Sequence, residues 1–308
     1  MIARTYCRLR RKICHLLGDR RGDTFWSNMM ATREVLPRLR DRFDPDHVPS
    51  ISIEINTDCN YRCSFCPQST RRRPSRFMTR DAFRRVVADL AGMSFDGLVV
   101  LSVNNEPFLH PLLLEFCATL SEQLPGARTH LISNGSLVTE SHLKFLAALE
   151  RPPSIDINDY TNDHKIAARL STIAASLPGA ENMRIVIRPR SRDEVLSNRA
   201  GNQPGCKTKA GDYRNVICTW PFMSMFVAAD LRAFLCCSDY HHEMIMGDLG
   251  SQSIMEVWTG AKYAELRRKM LETQRAGIPM CRGCDAEWFS LPEHCAELRK
   301  PESGNKEE

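Results

Sequence analysis

Three cysteines, Cys59, Cys63 and Cys66, fall within eight residues with the spacing CxxxCxxC, directly after the strand-like run Ile51–Ile55. Thiolates select zinc, copper(I) or iron-sulfur clusters, so a tight loop that supplies three sulfurs predicts a metal site. A cubane of four irons held by three cysteines leaves one iron without a protein ligand, and an open coordination position is what makes a metal site reactive. Two alternatives stay open, a zinc knuckle with a distant fourth ligand and a chance grouping among 13 cysteines.

Composition restricts the class of protein. With 308 residues, 43% apolar and 26% charged, the chain is typical of a soluble globular protein with one large core or two modest ones. No apolar run approaches the roughly 18 residues of a membrane span, which predicts no membrane partner. Thirteen cysteines without an apolar signal sequence indicate metal ligation in a reducing compartment, hence a cytoplasmic location. The net charge of +5 does not require nucleic acid as a partner.

Strand and helix patterns alternate over residues 50–190, which predicts an α/β fold with a parallel sheet and outer helices. The strands are expected at 51–55, 97–103, 128–132, 155–157 and 183–187, and the helices at 81–93, 112–124, 140–149 and 164–177. Five or six such units make either a doubly wound sheet or an incomplete barrel. Residues 1–48 are expected to form a helical extension, residues 191–216 a linker or substrate loop, and residues 291–308 a tail.

Polar residues follow every predicted strand. They are Asn56 and Asp58, then Asn104, Asn105 and Glu106, then Ser133 and Asn134, then Asn158 and Asp159, and finally Arg188 and Arg190. In a parallel barrel the carboxyl ends of the strands face one mouth, where catalytic groups of such folds lie. The pattern therefore predicts one polar site. Each residue alone also has an ordinary reading as a turn, a helix start or a surface charge.

The cysteine loop, with the aromatic Phe65 before its last cysteine, resembles that of the radical S-adenosylmethionine (radical SAM) enzymes. The resemblance implies a partial (β/α)6 TIM-like barrel over residues 49–190. It also implies a 4Fe-4S cluster whose open iron chelates S-adenosylmethionine, with reductive cleavage to a 5′-deoxyadenosyl radical. In that family Phe65 would pack near the adenine.

The same resemblance assigns further cofactor contacts. Asn105-Glu106-Pro107 stands where relatives carry Gly-Glu-Pro, which implies that Asn105 and Glu106 accept hydrogen bonds from the ammonium group of the cofactor. Ser133 and Asn134 occupy the place of residues that contact the ribose hydroxyls or the carboxylate. Arg188 would pair with the methionine carboxylate.

A second cysteine group comprises Cys218, Cys236, Cys281 and Cys284. Four thiols can hold zinc or a second cubane, and spacing alone does not choose between them. The surrounding sequence over residues 217–290 resembles the auxiliary-cluster (SPASM) extension of the radical family, in its shorter "twitch" form. A fully ligated 4Fe-4S cluster has no open iron, so the implied role is electron transfer.

The implied activity is that of an oxidoreductase or epimerase acting on a small polyhydroxylated substrate, such as a sugar or aminocyclitol. Removal of an electron from the substrate radical gives a ketone, whereas return of a hydrogen atom gives an epimer; Cys237 and Cys206 are the candidate hydrogen donors. A flavodoxin- or ferredoxin-type protein is the expected electron donor. Peptide modification, sugar-acid decarboxylation and a zinc-stabilised binding protein remain as alternatives.

Overall fold

The structure is a computed structural model that describes residues 29, 31–70, 73–191, 194, 197–203 and 216–286. The predicted helix within residues 1–21, the candidate donor Cys206 and the predicted tail lie outside these residues. Within the described ranges, no helix combines the length and the apolar character that crossing a bilayer requires.

The first part of the described chain alternates strands and helices as expected. After a π-helical turn at Ala31–Val35, the elements are α1 Leu36–Arg42, β1 Ser50–Ile53, α2 Arg80–Gly92, β2 Leu98–Val100, α3 Leu113–Gln123, β3 Arg128–Ser133, α4 Glu140–Ala147, β4 Ser154–Asp159, α5 Lys165–Ser176 and β5 Ile185–Pro189. Local sequence explains several boundaries. Thr79 caps α2 by accepting from the Ala82 N–H, and Thr139 and His142 form a capping box on α4.

The second part of the chain completes the same sheet. Its elements are α6 Trp220–Met223, β6 Met225–Val227, β7 Arg232–Phe234, β8 Ile245–Asp248, α7 Ile254–Trp258 and α8 Ala261–Leu271. The eight strands lie in the order β5-β4-β3-β2-β1-β6-β7-β8, with parallel pairing from β5 to β6 and antiparallel pairing beyond.

The α/β class and the C-terminal domain are confirmed, and the sheet has the six parallel strands of the predicted partial barrel. Described residues between 50 and 190 supply five parallel strands, and the sixth parallel strand, β6, comes from the C-terminal part and pairs with β1. The register places Ile51 opposite Met225 and Ile53 opposite Val227. All four side chains are wholly buried, so apolar burial explains why this strand adds at β1.

Helices cover one face of the sheet through close contacts. Ile155 and Ile157 of β4 are wholly buried, and the turn after β3 approaches Ile157 closely at Gly135. Gly135 has a φ of +76°, and a Cβ atom there would lie 2.7 Å from Ile157 Cγ2 and 3.1 Å from Leu170 Cδ1 of α5. Only glycine fits both the backbone angle and the space, which fixes where the loop after β3 meets the helical layer.

Candidate active site and cluster ligands

The cysteine loop leaves β1 at the carboxyl edge of the sheet. It turns back on itself, because the Cys66 N–H donates to the Cys63 carbonyl and the Ser69 N–H donates to the Cys66 carbonyl, each at 2.9 Å. All three thiols are partly exposed. Burial raises the pKa of the Cys59 thiol to about 11, and the charges of Glu106 and Cys66 add to the rise. A bound iron beside this sulfur would favour its thiolate form.

Glu106 connects the loops that follow β2 and β3 through hydrogen bonds. Its side chain is buried, and its carboxylate accepts from Ser133 Oγ at 2.8 Å, the Asn134 N–H at 2.8 Å and the Phe108 N–H at 3.1 Å. Burial raises its pKa, and these three hydrogen bonds oppose the rise. Three of the roughly four acceptor positions of a carboxylate are thus used inside the protein. The predicted contact between Glu106 and a cofactor ammonium group stays a prediction.

The loop after β3 contacts the cysteine loop directly. Asn134 Nδ2 donates to Asn60 Oδ1 at 2.9 Å and lies 4.0 Å from Cys59 Sγ. Asn105, in the loop after β2, accepts from the Val103 N–H at 2.8 Å and donates to Asn56 Oδ1 at 2.9 Å. The predicted cofactor-binding residues after β2 and β3 therefore lie together beside the predicted cluster ligands.

Phe65 lies in the cysteine loop and Arg188 lies on β5. Phe65 is buried, and its ring centroid lies 5.1 Å from that of Tyr160, which follows β4. Arg188 on β5 makes an ion pair at 2.6 Å with Asp156 of the neighbouring strand. If Arg188 also binds a cofactor carboxylate, its guanidinium must contact both that carboxylate and Asp156. The predicted contact with the cofactor stays a prediction.

The second cysteine group is gathered in one neighbourhood, although its members are far apart in sequence. Burial raises the pKa of Cys236 well above its ordinary range, and adjacent thiols raise it further: Cys237, Cys281, Cys218 and Cys284. Cys117 provides the contrast within the chain. Burial alone raises its pKa to about 12, with no neighbouring charge, as expected for a core thiol.

Arg275 shows that this neighbourhood fits an anionic group. The side chain is buried, and its Nη atoms donate to the carbonyls of Cys284 at 2.9 Å and Ala286 at 3.1 Å. Within the described residues its Nε has no hydrogen-bond partner and no carboxylate forms an ion pair with it. A buried guanidinium requires a counter-charge, and a cluster held by four thiolates supplies one.

Neither cysteine group has the geometry of a single-ion site. Among the residues that the structure describes, no three His, Cys, Asp or Glu side chains are placed to hold one metal ion. The cysteines of a cubane bind separate irons, so a cluster does not require their sulfurs to converge on one point.

Three amides join the two cysteine regions. Asn104 Nδ2 donates to the Cys237 carbonyl at 3.0 Å, and Asn202 Nδ2 donates to the Ser238 carbonyl at 2.9 Å. Gln203 Nε2 donates to the Ser64 carbonyl in the cysteine loop. Two described residues of the predicted linker, Asn202 and Gln203, therefore contact both regions.

A buried ion network makes a fourth link. Glu54 is 0% exposed and binds Arg73 through both Nη atoms, at 2.6 and 2.8 Å. His242 Nε2 lies 2.7 Å from Arg73 Nη1 and 3.3 Å from Glu54 Oε2. Burial alone would raise the pKa of Glu54, but hydrogen bonds from His242 and Arg73 bring it below its ordinary value. Glu54 is therefore held as a carboxylate between the two cysteine regions.

Four buried residues of this region were not predicted from the sequence: Glu54, Arg73, His242 and Arg275. A charged residue inside the apolar run Ile51–Ile55 was the available signal for Glu54. Its two partners lie 19 and 188 positions away, and no local pattern marks them. Arg275 has no sequence signal, because only the fold places it among the cysteines.

Comparisons with known proteins agree with this architecture. A family model described as the Radical SAM superfamily matches residues 53–193, and one described as an iron-sulfur cluster-binding domain, SPASM, matches residues 218–285. The chain is similar to the S-adenosyl-L-methionine-dependent 2-deoxy-scyllo-inosamine dehydrogenase of Niallia circulans. The identity is 28% over 239 residues, which cover 76% of this chain and 92% of the relative.

Solved structures share the fold. The crystal structure of BtrN in complex with AdoMet and 2-DOIA matches with a TM-score of 0.68 and 24% identity, over 80% of this chain and 96% of that one. Streptococcus suis SuiB bound to its precursor peptide SuiA matches with a TM-score of 0.53 and 12% identity, over 82% and 76% of the two chains. At these identities the likeness shows the fold alone.

Proposed function

Because the chain is a radical SAM enzyme with a C-terminal iron-sulfur cluster-binding domain, we propose that it oxidises a secondary alcohol of a small polyhydroxylated ring to a ketone. The substrate class is that of aminocyclitols and related sugars. The dehydrogenase from Niallia circulans supports this choice, since the similarity covers 92% of that protein. The observation that carries the proposal is the gathering of four thiols, Cys284 buried and the other three partly buried, beside the mouth that holds the three-thiol loop.

The cofactors are a 4Fe-4S cluster with S-adenosylmethionine and an auxiliary iron-sulfur cluster. We assign Cys59, Cys63 and Cys66 to the first cluster. We assign the auxiliary cluster to the second cysteine group, Cys218, Cys236, Cys281 and Cys284. When bound, these groups supply a 5′-deoxyadenosyl radical that removes hydrogen from carbon and an acceptor for the second electron.

The residues of this chain position these groups. Glu106 holds the loop after β3 through Ser133 and Asn134, and Asn134 reaches the cysteine loop. Arg275 offsets the negative charge of the auxiliary thiolates in a buried setting. The side chains of Asn104 and Gln203 fix the spacing between the two cysteine regions. A fixed spacing favours transfer of one electron out of the substrate radical.

Epimerisation is the second candidate, and Cys237 is the thiol that would serve it. Cys237 packs beside the cluster formed by Phe226, Ala228 and Phe234, and its carbonyl is held by Asn104. This apolar setting is typical of a structural thiol, which favours dehydrogenation. Reduction of the first cluster requires an external donor, for which we propose a flavodoxin- or ferredoxin-type protein.

The test uses anaerobically reconstituted protein, S-adenosylmethionine, a reductant and 2-deoxy-scyllo-inosamine deuterated at its carbinol carbons. We expect one deuterium in the 5′-deoxyadenosine and, in equal amount, a ketone that has lost one carbinol deuterium and one hydroxyl hydrogen from the labelled substrate. Mass spectrometry measures both products. Radical cleavage without transfer of deuterium from this compound or from other cyclitols and sugars would contradict the proposed substrate class.

Cys237→Ala separates the two candidate reactions. A dehydrogenase should keep its coupling between cleavage and product in this variant, whereas an epimerase should cleave the cofactor without returning hydrogen to the substrate. If the reaction in D₂O gave an epimer that carries solvent deuterium, and no ketone, the protein would be an epimerase and not a dehydrogenase.

A further inference from the structure

The face of the sheet opposite the helices carries polar side chains and is partly open. Side chains alternate between the two faces of a strand, and Leu131 of β3 and Ile155 of β4 are wholly buried on the helix face. His130 and Ile132 of β3 therefore lie on the opposite face. Ile132 is 41% exposed although β3 is an interior strand of the sheet, which indicates open space in front of this face.

His130 lines a cavity that runs from the amino ends of β2–β4 to Asp156. Its volume is about 690 Å³, which is within the roughly 300–1,000 Å³ of small-molecule sites. Ser154 of β4 also lines it, directly opposite His130 in the strand register. On β2 the opposite residue is the uncharged Val100. The charged groups near His130 are Asp156, the arginine ion-paired with it, Arg188, and three further arginines of the cavity and its surroundings, Arg128, Arg151 and Arg184.

The position of His130 along β3 leaves space between it and the cysteine loop. Strand β3 ends at Ser133, and Asn134 Nδ2 lies 4.0 Å from Cys59 Sγ. A strand rises about 3.3 Å per residue, so His130 lies about 13 Å from Asn134. This separation leaves room for a cofactor and a small ring between His130 and the predicted ligands of the first cluster.

The hydrogen bonds of His130 determine which ring nitrogen carries the hydrogen. Nδ1 lies 2.8 Å from Ser154 Oγ, and Ser154 Oγ donates to the Thr129 carbonyl at 3.3 Å. The carbonyl only accepts, so the single hydroxyl hydrogen is used there and Nδ1–H donates to Oγ. Among the described residues Nε2 has no hydrogen-bond partner, and it is not one of the fully buried polar atoms. Nε2 is therefore an acceptor that is accessible from the cavity.

The surroundings keep the His130 ring neutral. Burial lowers the pKa of His130 below its ordinary value of 6.5. Of the nearby charges, Asp156 opposes this decrease, and Arg184 and Arg188 add to it. A neutral imidazole with an accessible lone pair can act as a general base at pH 7.

We propose that His130 Nε2 accepts the hydroxyl proton of the substrate alcohol as the ketone forms. This inference rests on the proposed function and names its proton acceptor. The hydrogen atom on the carbinol carbon passes to the 5′-deoxyadenosyl radical and forms a C–H bond in 5′-deoxyadenosine. The O–H bond then breaks, its proton passes to Nε2, and one electron passes to the auxiliary cluster, which is reduced. The two electrons that remain on carbon and oxygen form the C=O π bond. Ser154 is a positioning residue, because its hydrogen bond to Nδ1 keeps Nε2 as the acceptor.

The test compares His130→Gln with His142→Gln in anaerobically reconstituted protein, with the deuterated alcohol that the unsubstituted protein oxidises. In His130→Gln we expect deuterium transfer into 5′-deoxyadenosine to persist, while the ketone formed per 5′-deoxyadenosine falls about 10²-fold or more. His142 forms the capping box of α4, and glutamine can replace it in that role. His142→Gln should therefore match the unsubstituted protein.

The pH dependence gives a second readout. Ketone formation by the unsubstituted protein should decrease as the pH falls through the pKa of His130, below 6.5, because the protonated ring cannot accept another proton. His130→Gln should lack this inflection. An unchanged ketone yield per 5′-deoxyadenosine together with an unchanged pH profile in His130→Gln would overturn the inference.

If His130→Gln does not retain its iron, Ser154→Ala replaces it. This variant keeps the imidazole but loses the acceptor for Nδ1–H, so a lower ketone yield per 5′-deoxyadenosine would support the inference and an unchanged yield would overturn it. Deuterium transfer by the unsubstituted protein is measured separately. Its absence would count against the proposed function, whereas persistent transfer with an unaffected ketone yield in the variants would count against His130 alone.

Discussion

Replacement of Cys63 by alanine is expected to reduce cleavage of S-adenosylmethionine to the background of a protein-free reaction. The loop Cys59–Cys66 supplies three thiols, and a cubane that loses one of three ligands has two uncoordinated irons and is not retained. Iron should fall by about four per chain. The amount of 5′-deoxyadenosine, measured by liquid chromatography and mass spectrometry, reports the loss of cleavage.

Cys117→Ala is the matched control for this variant. Cys117 is a buried thiol on α3, away from both cysteine regions. Its replacement should leave the iron content and the cleavage rate close to those of the unsubstituted protein. If Cys63→Ala cleaved S-adenosylmethionine at the rate of the unsubstituted protein, the three-thiol loop would have no role in that reaction.

Replacement of Glu54 by alanine is expected to lower the free energy of unfolding by about 3–5 kcal/mol, because it leaves the Arg73 charge buried and uncompensated. Glu54 is 0% exposed and the Arg73 side chain 8% exposed, so water does not replace the lost partner. The measurement is anaerobic chemical unfolding of the reconstituted protein. The same network links the two cysteine regions through His242, so the variant should also lose iron more readily.

Two further variants test the origin of that effect. The double variant Glu54→Met with Arg73→Met removes both charges and should recover much of the lost stability. Glu265→Ala breaks an exposed ion pair with Arg268 and should change stability little. A single Glu54→Ala variant as stable as the unsubstituted protein would show that the network contributes no net stabilisation.

The Glu54 network also has a pH signature. The pKa of Glu54 is lowered in the folded protein, so its contribution to stability is present above the ordinary glutamate value of about 4.3 and is lost as the pH falls through the lowered folded value. Glu54→Gln should lack this acid-dependent part of the stability curve.

Local patterns predicted most of the elements that build the site. The periodicity over residues 81–93 and 112–124 corresponds within two residues to α2 and α3, because each helix buries one apolar stripe. The polar residues after β2 and β3 also meet as expected, since parallel strands end at one edge.

Local sequence patterns did not predict the contacts between distant segments of the chain. Strand β6 has three residues and reads as a short apolar run, so its pairing with β1 depends on tertiary burial. The backbone at Arg199, Ala200 and Gly201 takes positive φ angles of 51°, 55° and 87°. Arginine and alanine rarely adopt positive φ angles, so the sequence did not predict this conformation at Arg199 and Ala200. The partners of Glu54 come from distant segments that only the fold brings together.

The proposed function requires two clusters with different numbers of cysteine ligands, and an anaerobic assay of iron and acid-labile sulfide tests this requirement most directly. The unsubstituted protein should contain about eight of each per chain, and a Cys59→Ala, Cys63→Ala, Cys66→Ala triple variant about four of each. Zinc without sulfide in the unsubstituted protein, or an unchanged iron content in the triple variant, would contradict the assignment of the two clusters.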